Sequence, residues 1–300
     1  MTLAPRVVVV SRRSEWTELL ERHGTAGAAG FFLRSRGRDS AELVDQHESH
    51  QRALRAVAAA IPGDWRRGQL DRDELARFVF GPEDIIVTVG PDGLVANAAK
   101  YVTTQPVIGV AVGAPGALAG FAATQVAQVL PAVAAGRAPE LARTMVMARL
   151  DDGQCLYGLN DVYVGHAGHQ SARYELTVPD GRSELHSSSG VVVGTPTGST
   201  GWCASLAADR AGAAKRSAAA PTAPDATELH WYAREAWPSA TTCRSITHGV
   251  LSGESELSVV SHSDQLVVFA DGMEVDHLTV GWGQRLTVRV ADRALRWVAP

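Results

Sequence analysis

Cysteine is scarce in this chain of 300 residues, which holds only Cys155, Cys203 and Cys243. They lie far apart and lack metal-ligand spacing, so no cysteine-built metal site or paired disulfide framework is expected. Their odd number and scatter fit a reducing cytoplasm, with the thiols as small core residues. Long apolar runs are missing as well. No stretch is long enough to span a bilayer, and the apolar run in residues 1–10 is broken by Pro5 and Arg6, too short for a signal peptide. Neither sign of charge dominates. A net charge of -4 gives no footprint for nucleic acid or an anionic membrane, so an anionic ligand must be held locally. What remains, 45% hydrophobic and 20% charged residues, is an ordinary soluble composition with length enough for two domains or one large one.

The first half alternates strand and helix patterns. Arg6-Val7-Val8-Val9-Val10-Ser11 is a β-branched run suited to a strand buried on both faces. Ser14 is placed to cap a helix over 15–22, in which Trp16, Leu19 and Leu20 share a face. Residues 24–30 read as a loop and Phe31-Phe32-Leu33 as a second strand. Ser40 opens a helical pattern to Ile61, stopped by Pro62-Gly63. Residues 84–89 form the clearest strand, running into Gly90-Pro91-Asp92-Gly93 and a helix over 94–102, and residues 106–112 form another strand. Such alternation predicts a parallel sheet in a Rossmann-like α/β domain over 1–138. From about 139 to 300, short strands separated by Gly, Asp and Ser turns predict an all-β domain, a sandwich, with its last residues free to pack back on the first domain and a ligand cleft between the two. Residues 211–227, rich in Ala and Pro, read as a mobile loop.

Three stretches carry candidate chemistry. Asp92 sits where a strand ends and a helix begins, the place where open α/β sheets put ligands, and Gly90 and Gly93 let a ligand approach the backbone. A carboxylate there can take a proton from an attacking hydroxyl. Asp-Gly is also a common turn dipeptide, and Asp a common helix cap. Asn160-Asp161 stands inside a strand-like run where both residue types are unusual. The pair suits ribose hydroxyls or an amide, or equally a bulge. Val191-Val192-Val193 leads into Gly194-Thr195-Pro196-Thr197-Gly198-Ser199-Thr200-Gly201-Trp202, a Gly-bounded cluster of hydroxyls suited to phosphate or ribose oxygens, or to a plain surface loop. His47 with His50, and His166 with His169, have His-x-x-His spacing but no third and fourth ligands. The first pair reads as a solvated helix face and no protein-bound metal is assigned.

Taken in order, Gly90-Pro91-Asp92-Gly93, Asn160-Asp161, residues 195–202 and Asp271-Gly272 resemble the motif series of the NAD kinases. Arg234-Glu235 and Trp237-Pro238-Ser239 are most similar to the mitochondrial-type branch and its bacterial relatives. The resemblance runs from about residue 84 to the end, and its specific part is Thr195-Pro196-Thr197-Gly198-Ser199-Thr200. It implies an α/β domain followed by a β-sandwich, and transfer of the terminal phosphoryl group of ATP or polyphosphate to the 2′-hydroxyl of the adenosine ribose of NAD. Mg²⁺ would arrive with ATP. Position by position, it implies Asp92 as base or hydroxyl-orienting group, with Gly90 and Gly93 near phosphates. Asn160 and Asp161 would bind the NAD nucleoside; Thr195, Thr197, Thr200, Gly201 and Ser205 would line the nucleotide pocket; Asp271 would stand near the active site. It also implies a homodimer or tetramer.

The chain departs from the family's usual Gly-Gly-Asp-Gly-Thr at Pro91 and Leu94, which remove one backbone N–H and one hydroxyl. Ser189 stands where an acidic residue is usual, and Gly201-Trp202 where Ala-Tyr is usual. The readings carried forward are an NAD kinase-like enzyme, a nucleotide-binding protein without turnover, and a kinase of related fold acting on another acceptor.

Overall fold

A computed structural model describes residues 4–211 and 222–300. The chain divides into two compact units, one holding the residues up to Leu141 together with Arg296–Pro300, the other Ala142–Leu295.

The first unit begins with β1 (Arg6–Ser11), whose valines are buried on both faces, as a parallel strand between helices must be. Helices α1 (Glu15–His23), α2 (Ala26–Arg34) and α3 (Ser40–Ala60) follow. Ser14 caps α1 by accepting from the N–H of Thr17 at 3.2 Å. The strand expected at 31–33 is part of α2: Thr25 accepts from the N–H of Ala28, and the alanines behind it favour helix strongly enough to carry Phe31 and Phe32 along. Next come β2 (Arg66–Asp71), a 3-10 turn over Arg72–Arg77, β3 (Asp84–Val89), α4 (Asp92–Ala99), β4 (Pro106–Val110) and α5 (Val126–Ala134). The strands run parallel in the order β2-β1-β3-β4, and Arg296 and Trp297 add a further parallel pairing with Pro106 and Val107. Val57, Ile61, Val126 and Leu130 cover one sheet face in a core that includes Val7, Val9, Ile85 and Val298. Each such side chain contributes about 1.5–3 kcal/mol on burial.

The register pairs Arg6 with Asp84 at the start of β1 and β3, where the guanidinium holds the buried carboxylate through two nitrogens at 2.8 and 2.5 Å. That polar clamp closes the N-terminal end of the sheet. Ser11, Asp71 and Val89 lie level at the other end, where the strands open toward their loops.

The second unit takes up β5 (Glu140–Leu150), which begins in the first, and continues with β6 (Cys155–Gly158), β7 (Asp161–Gly165), β8 (Ala172–Thr177), β9 (Ser183–Ser188) and β10 (Val191–Gly194). A 3-10 turn over Thr197–Thr200 leads to α6 (Trp202–Ala211). Of the stretch read as a mobile loop, residues 212–221 lie outside the described residues. Then come β11 (Glu228–Ala233), β12 (His248–Ser252), β13 (Glu256–Ser261), β14 (Gln265–Ala270), β15 (His277–Gly281) and β16 (Arg285–Val298). One antiparallel sheet runs β12-β11-β10-β7-β14-β15; the other contains β9-β8-β13-β16 with β5 and β6 beyond. Inward side chains of both sheets share one core, from Val146, Tyr174 and Val259 on one side to Val162, Trp231 and Val268 on the other, as in a sandwich. Among the described residues no helix is long and apolar enough to cross a membrane.

Candidate functional site

In the first unit the Gly90-Pro91-Asp92-Gly93 turn leaves β3 and enters α4. The N–H of Gly90 donates to the carbonyl of Val110 at 2.9 Å, tying the turn to the end of β4. Pro91 stands at the cap position without a side-chain cap bond, and Asp92 is the first helical residue. Asp92 does not cap its own helix. Its carboxylate reaches the loop after β4, where Oδ2 accepts from the N–H of Ala117 at 2.8 Å and Oδ1 from those of Leu118 and Ala119 at 2.9 and 2.7 Å. Gly116 lets the carboxylate in: a Cβ there would stand 2.2 Å from Oδ1.

The receiving loop is firmly held. The carbonyl of Leu118 accepts the buried indole N–H of Trp297 at 2.8 Å and presses on Gly109, where a Cβ would approach it to 2.2 Å. The N–H of Gly116 donates to the carbonyl of Ala119, and that of Phe121 to the carbonyl of Gly109. Beside the turn lies a cavity of about 430 Å³ walled by Gly90, Pro91, Gly93, Ala111, Gly116 and Ala119 among others; among the described residues lining it, Asp92 is the only one with an ionisable side chain.

In the second unit Asn160, Asp161, Thr195 and Asp271 are brought together by a similar device. Asp271, in the left-handed region at φ +52°, accepts from the N–H groups of Leu159, Asn160 and Asp161 at 2.8, 2.7 and 3.2 Å. Its own N–H donates back to the carbonyl of Asp161 at 3.1 Å. Burial pushes the Asp271 carboxyl up to about 7, against the pull of those N–H donors, and pushes the Asp161 carboxyl up to about 6.

Thr195, the residue after β10, clamps the same segment. Its hydroxyl donates to the carbonyl of Leu159 at 2.5 Å, its N–H donates to the carbonyl of Asn160 at 2.9 Å, and its oxygen accepts from the N–H of Gly198 at 3.2 Å. Gly198 is pressed so close that a Cβ would stand 2.0 Å from the carbonyl of Asn160. Asn160, Asp161, Thr195, Gly198 and Asp271 therefore form one knot. Thr197 has a buried hydroxyl with no hydrogen-bond partner, an orphan suited to a ligand oxygen. Thr200, Gly201 and Ser205 are exposed at the start of α6.

Cys203, on the inner side of α6, is buried against Gly194. Burial, and then the charge of Asp161, push its thiol up to about 12, so it stays an inert thiol. A second concavity of about 380 Å³ in the same unit is lined by Tyr163, Trp202, Arg234, Phe269, Glu274 and His277 among others. Trp202 stacks on Tyr163 at 5.7 Å between ring centroids, and the Arg234 guanidinium lies 5.0 Å over the Trp202 ring.

Sequence reasoning missed the loop at 116–119, because its working groups are backbone N–H donors on Ala-Leu-Ala. The glycines at 109, 113, 116 and 120 were the available signal. It also misjudged the first histidine pair. His47 Nδ1 lies 2.7 Å from the Ser14 hydroxyl, and His50 is lowered by burial while bonding the backbone of Val89, so this face packs on the sheet end. Among the described residues no group of three His, Cys, Asp or Glu side chains is arranged to hold a metal ion.

Comparison with known proteins places residues 10–138 in the ATP-NAD kinase N-terminal domain family, a match that begins well before residue 84. The chain is 28% identical over 121 residues to an NAD kinase of Chlorobaculum tepidum, covering 40% of this chain and 43% of that one. It is 32% identical over 132 residues to an NAD kinase of Burkholderia cenocepacia (41% and 44%), and 34% identical over 126 residues to one of Heliobacterium modesticaldum (40% and 44%). The aligned stretch thus spans less than half the length of these relatives. A crystal structure of yeast NADH kinase complexed with NADH superposes with a TM-score of 0.65 over all of this chain and 84% of that one; at 15% identity this likeness shows the fold.

Proposed function

We propose that this chain, whose residues 10–138 match the ATP-NAD kinase N-terminal domain, is an NAD kinase-family phosphotransferase moving the terminal phosphoryl group of ATP or polyphosphate to the 2′-hydroxyl of the adenosine ribose of NAD. The observation that carries this reading is the 90–93 turn at the open end of a parallel sheet, beside a cavity in whose wall Asp92 is the only ionisable side chain among the described residues. Asp92 orients the hydroxyl and accepts its proton as the oxygen attacks the phosphoryl group. Gly90 and Gly93 let phosphate oxygens approach the backbone.

In the second unit, Asn160 and Asp161 hold the nucleoside, with Thr195 and Asp271 fixing the segment that carries them. Thr197 offers its unpartnered hydroxyl, and Thr200, Gly201 and Ser205 line the nucleotide side of the same turn. Mg²⁺ would enter as part of the ATP substrate and would neutralise charge on its phosphates, and this suits a chain whose Asp92 oxygens already accept backbone N–H groups. A homodimer or tetramer belongs to the same reading, with light scattering as its check.

The test incubates purified protein with Mg-ATP or polyphosphate and NAD, and measures NADP. Activity is expected, and Asp92→Asn should lower the rate by about 10²-fold or more. NAD binding without NADP under every donor and metal would sink the reading. It would favour the second one, a nucleotide-binding protein without turnover, which the occupied state of the Asp92 carboxylate and the Pro91 and Leu94 departures support.

A further inference from the structure

Three consecutive N–H groups converging from one turn make an anion-binding nest, the arrangement that cradles phosphate in many proteins. In this chain the nest of Ala117, Leu118 and Ala119 is filled by an anion of the protein's own, the Asp92 carboxylate. We propose that the nest is a phosphate site which Asp92 keeps closed, and that phosphoryl oxygens of an incoming ligand displace the carboxylate and release Asp92 into the adjoining cavity. The binding step stands by itself; only the use made of the released Asp92 rests on the phosphotransferase reading.

The two partners differ in how firmly they are held. The nest is braced by three contacts: Trp297 holds the Leu118 carbonyl at 2.8 Å, Gly109 packs against that carbonyl, and the Gly116 N–H closes on Ala119. Its donors therefore keep their aim whether or not Asp92 is present. Asp92 is half-buried and turns about two side-chain bonds, so it is the part able to move. The space for the replacement is present. Apart from Asp92, the described residues that wall the cavity of about 430 Å³ are glycine, alanine, proline and valine, which offer no competing charge. A neutral ligand gains little from three donors already satisfied by a carboxylate. A phosphoryl group brings charge and several acceptor oxygens together, so the ligand class is a phosphate ester or anhydride.

Gly116 supplies the control. The three atoms nearest a Cβ at this position all belong to the Asp92 carboxyl, at 2.2, 2.7 and 2.8 Å. In an Asp92→Ala background, Gly116→Ala therefore puts a methyl group where the carboxylate was and blocks the nest again. Calorimetric titration with tripolyphosphate, and separately with NAD, compares the wild-type chain, Asp92→Ala, and the double variant Asp92→Ala/Gly116→Ala. The amide resonances of Ala117, Leu118 and Ala119 are followed in parallel.

Asp92→Ala is expected to bind at least one of the two ligands about tenfold to a hundredfold more tightly, the scale of a hydrogen bond to a charged group. The double variant is expected to lose that gain, and saturating ligand should move the three amide resonances in the wild-type chain. A gain confined to tripolyphosphate assigns the nest to the donor's phosphates, and one confined to NAD assigns it to the acceptor's pyrophosphate. No gain in Asp92→Ala overturns the proposal. So does a gain that survives in the double variant, which would mean simple charge removal. Should Asp92→Ala fail to fold, the wild-type amide shifts decide alone, and their staying fixed with both ligands overturns it. None of these readings measures NADP, so an inactive enzyme leaves the outcome intact.

Discussion

Asp92 in the first unit and Asp271 in the second each accept three backbone N–H groups from consecutive residues, 117–119 in one case and 159–161 in the other. Each receiving segment is also pressed against a glycine, Gly109 against Leu118 and Gly198 against Asn160. The surroundings differ. The Asp271 carboxyl is desolvated enough to be pushed up to about 7, and its own N–H closes the ring back onto Asp161. Asp92 lies at the wall of a cavity. One local device thus serves two purposes: around Asp271 it is a fastening, while around Asp92 it is a contact that a ligand can replace.

Removing each carboxylate tests that difference most directly. Asp271→Ala strips the acceptor from three N–H groups packed under Thr195 and should cost about 3 kcal/mol in denaturant unfolding of the second unit. If it costs no more than Asp92→Ala, the distinction fails. The glycines test the shared part. Gly198→Ala and Gly109→Ala each drive a methyl group into a carbonyl oxygen, at 2.0 and 2.2 Å, and each should cost about 2 kcal/mol or more, read as a lowered Tm.

A pH series sharpens the comparison. Asp271 and Asp161 have folded values raised to about 7 and about 6. The unfolded chain releases these protons near pH 4, so the folded state binds more of them in between, and the second unit loses stability as pH rises from about 4 to about 7. Asp161→Asn should flatten that slope and stabilise the protein at pH 8, by on the order of 2 kcal/mol, with little effect at pH 4. A gain of equal size at both pH values would refute the assignment. The smallest effect is expected at Asp92. Water in the cavity can replace the carboxylate on its three amides, so Asp92→Ala should change unfolding stability by about 1 kcal/mol or less.

The elements read from sequence were those in which side chains declare themselves. Val7 to Val10 and Ile85 to Val89 announce buried strands because parallel strands are apolar on both faces. β9, Ser-Glu-Leu-His-Ser-Ser, gave no such signal, since its position is set by pairing with β8 across a register that composition does not encode. Phe31-Phe32-Leu33 looked like a strand and became helix because the preceding alanines and the Thr25 cap decide the local backbone. The candidate site divides the same way. Asp92, Asn160 and Thr195 were legible as residues, but their partners were amides, and an amide has no letter in the sequence. That Asp271 would bind Leu159, Asn160 and Asp161 followed only from how β14 lies beside β7.

Trp297 and Val298 have a consequence for how the protein is made. Val298 is part of the first unit's core and Trp297 fixes the carbonyl of Leu118, yet the whole second unit separates them from β4 in the chain. A ribosome that has finished residues 10–138 has therefore produced a Rossmann-like half without one parallel neighbour and without the indole that steadies its nest. That loop gains its brace only after the sandwich has been translated, so the order of synthesis delays a rigid phosphate-facing loop until both units exist.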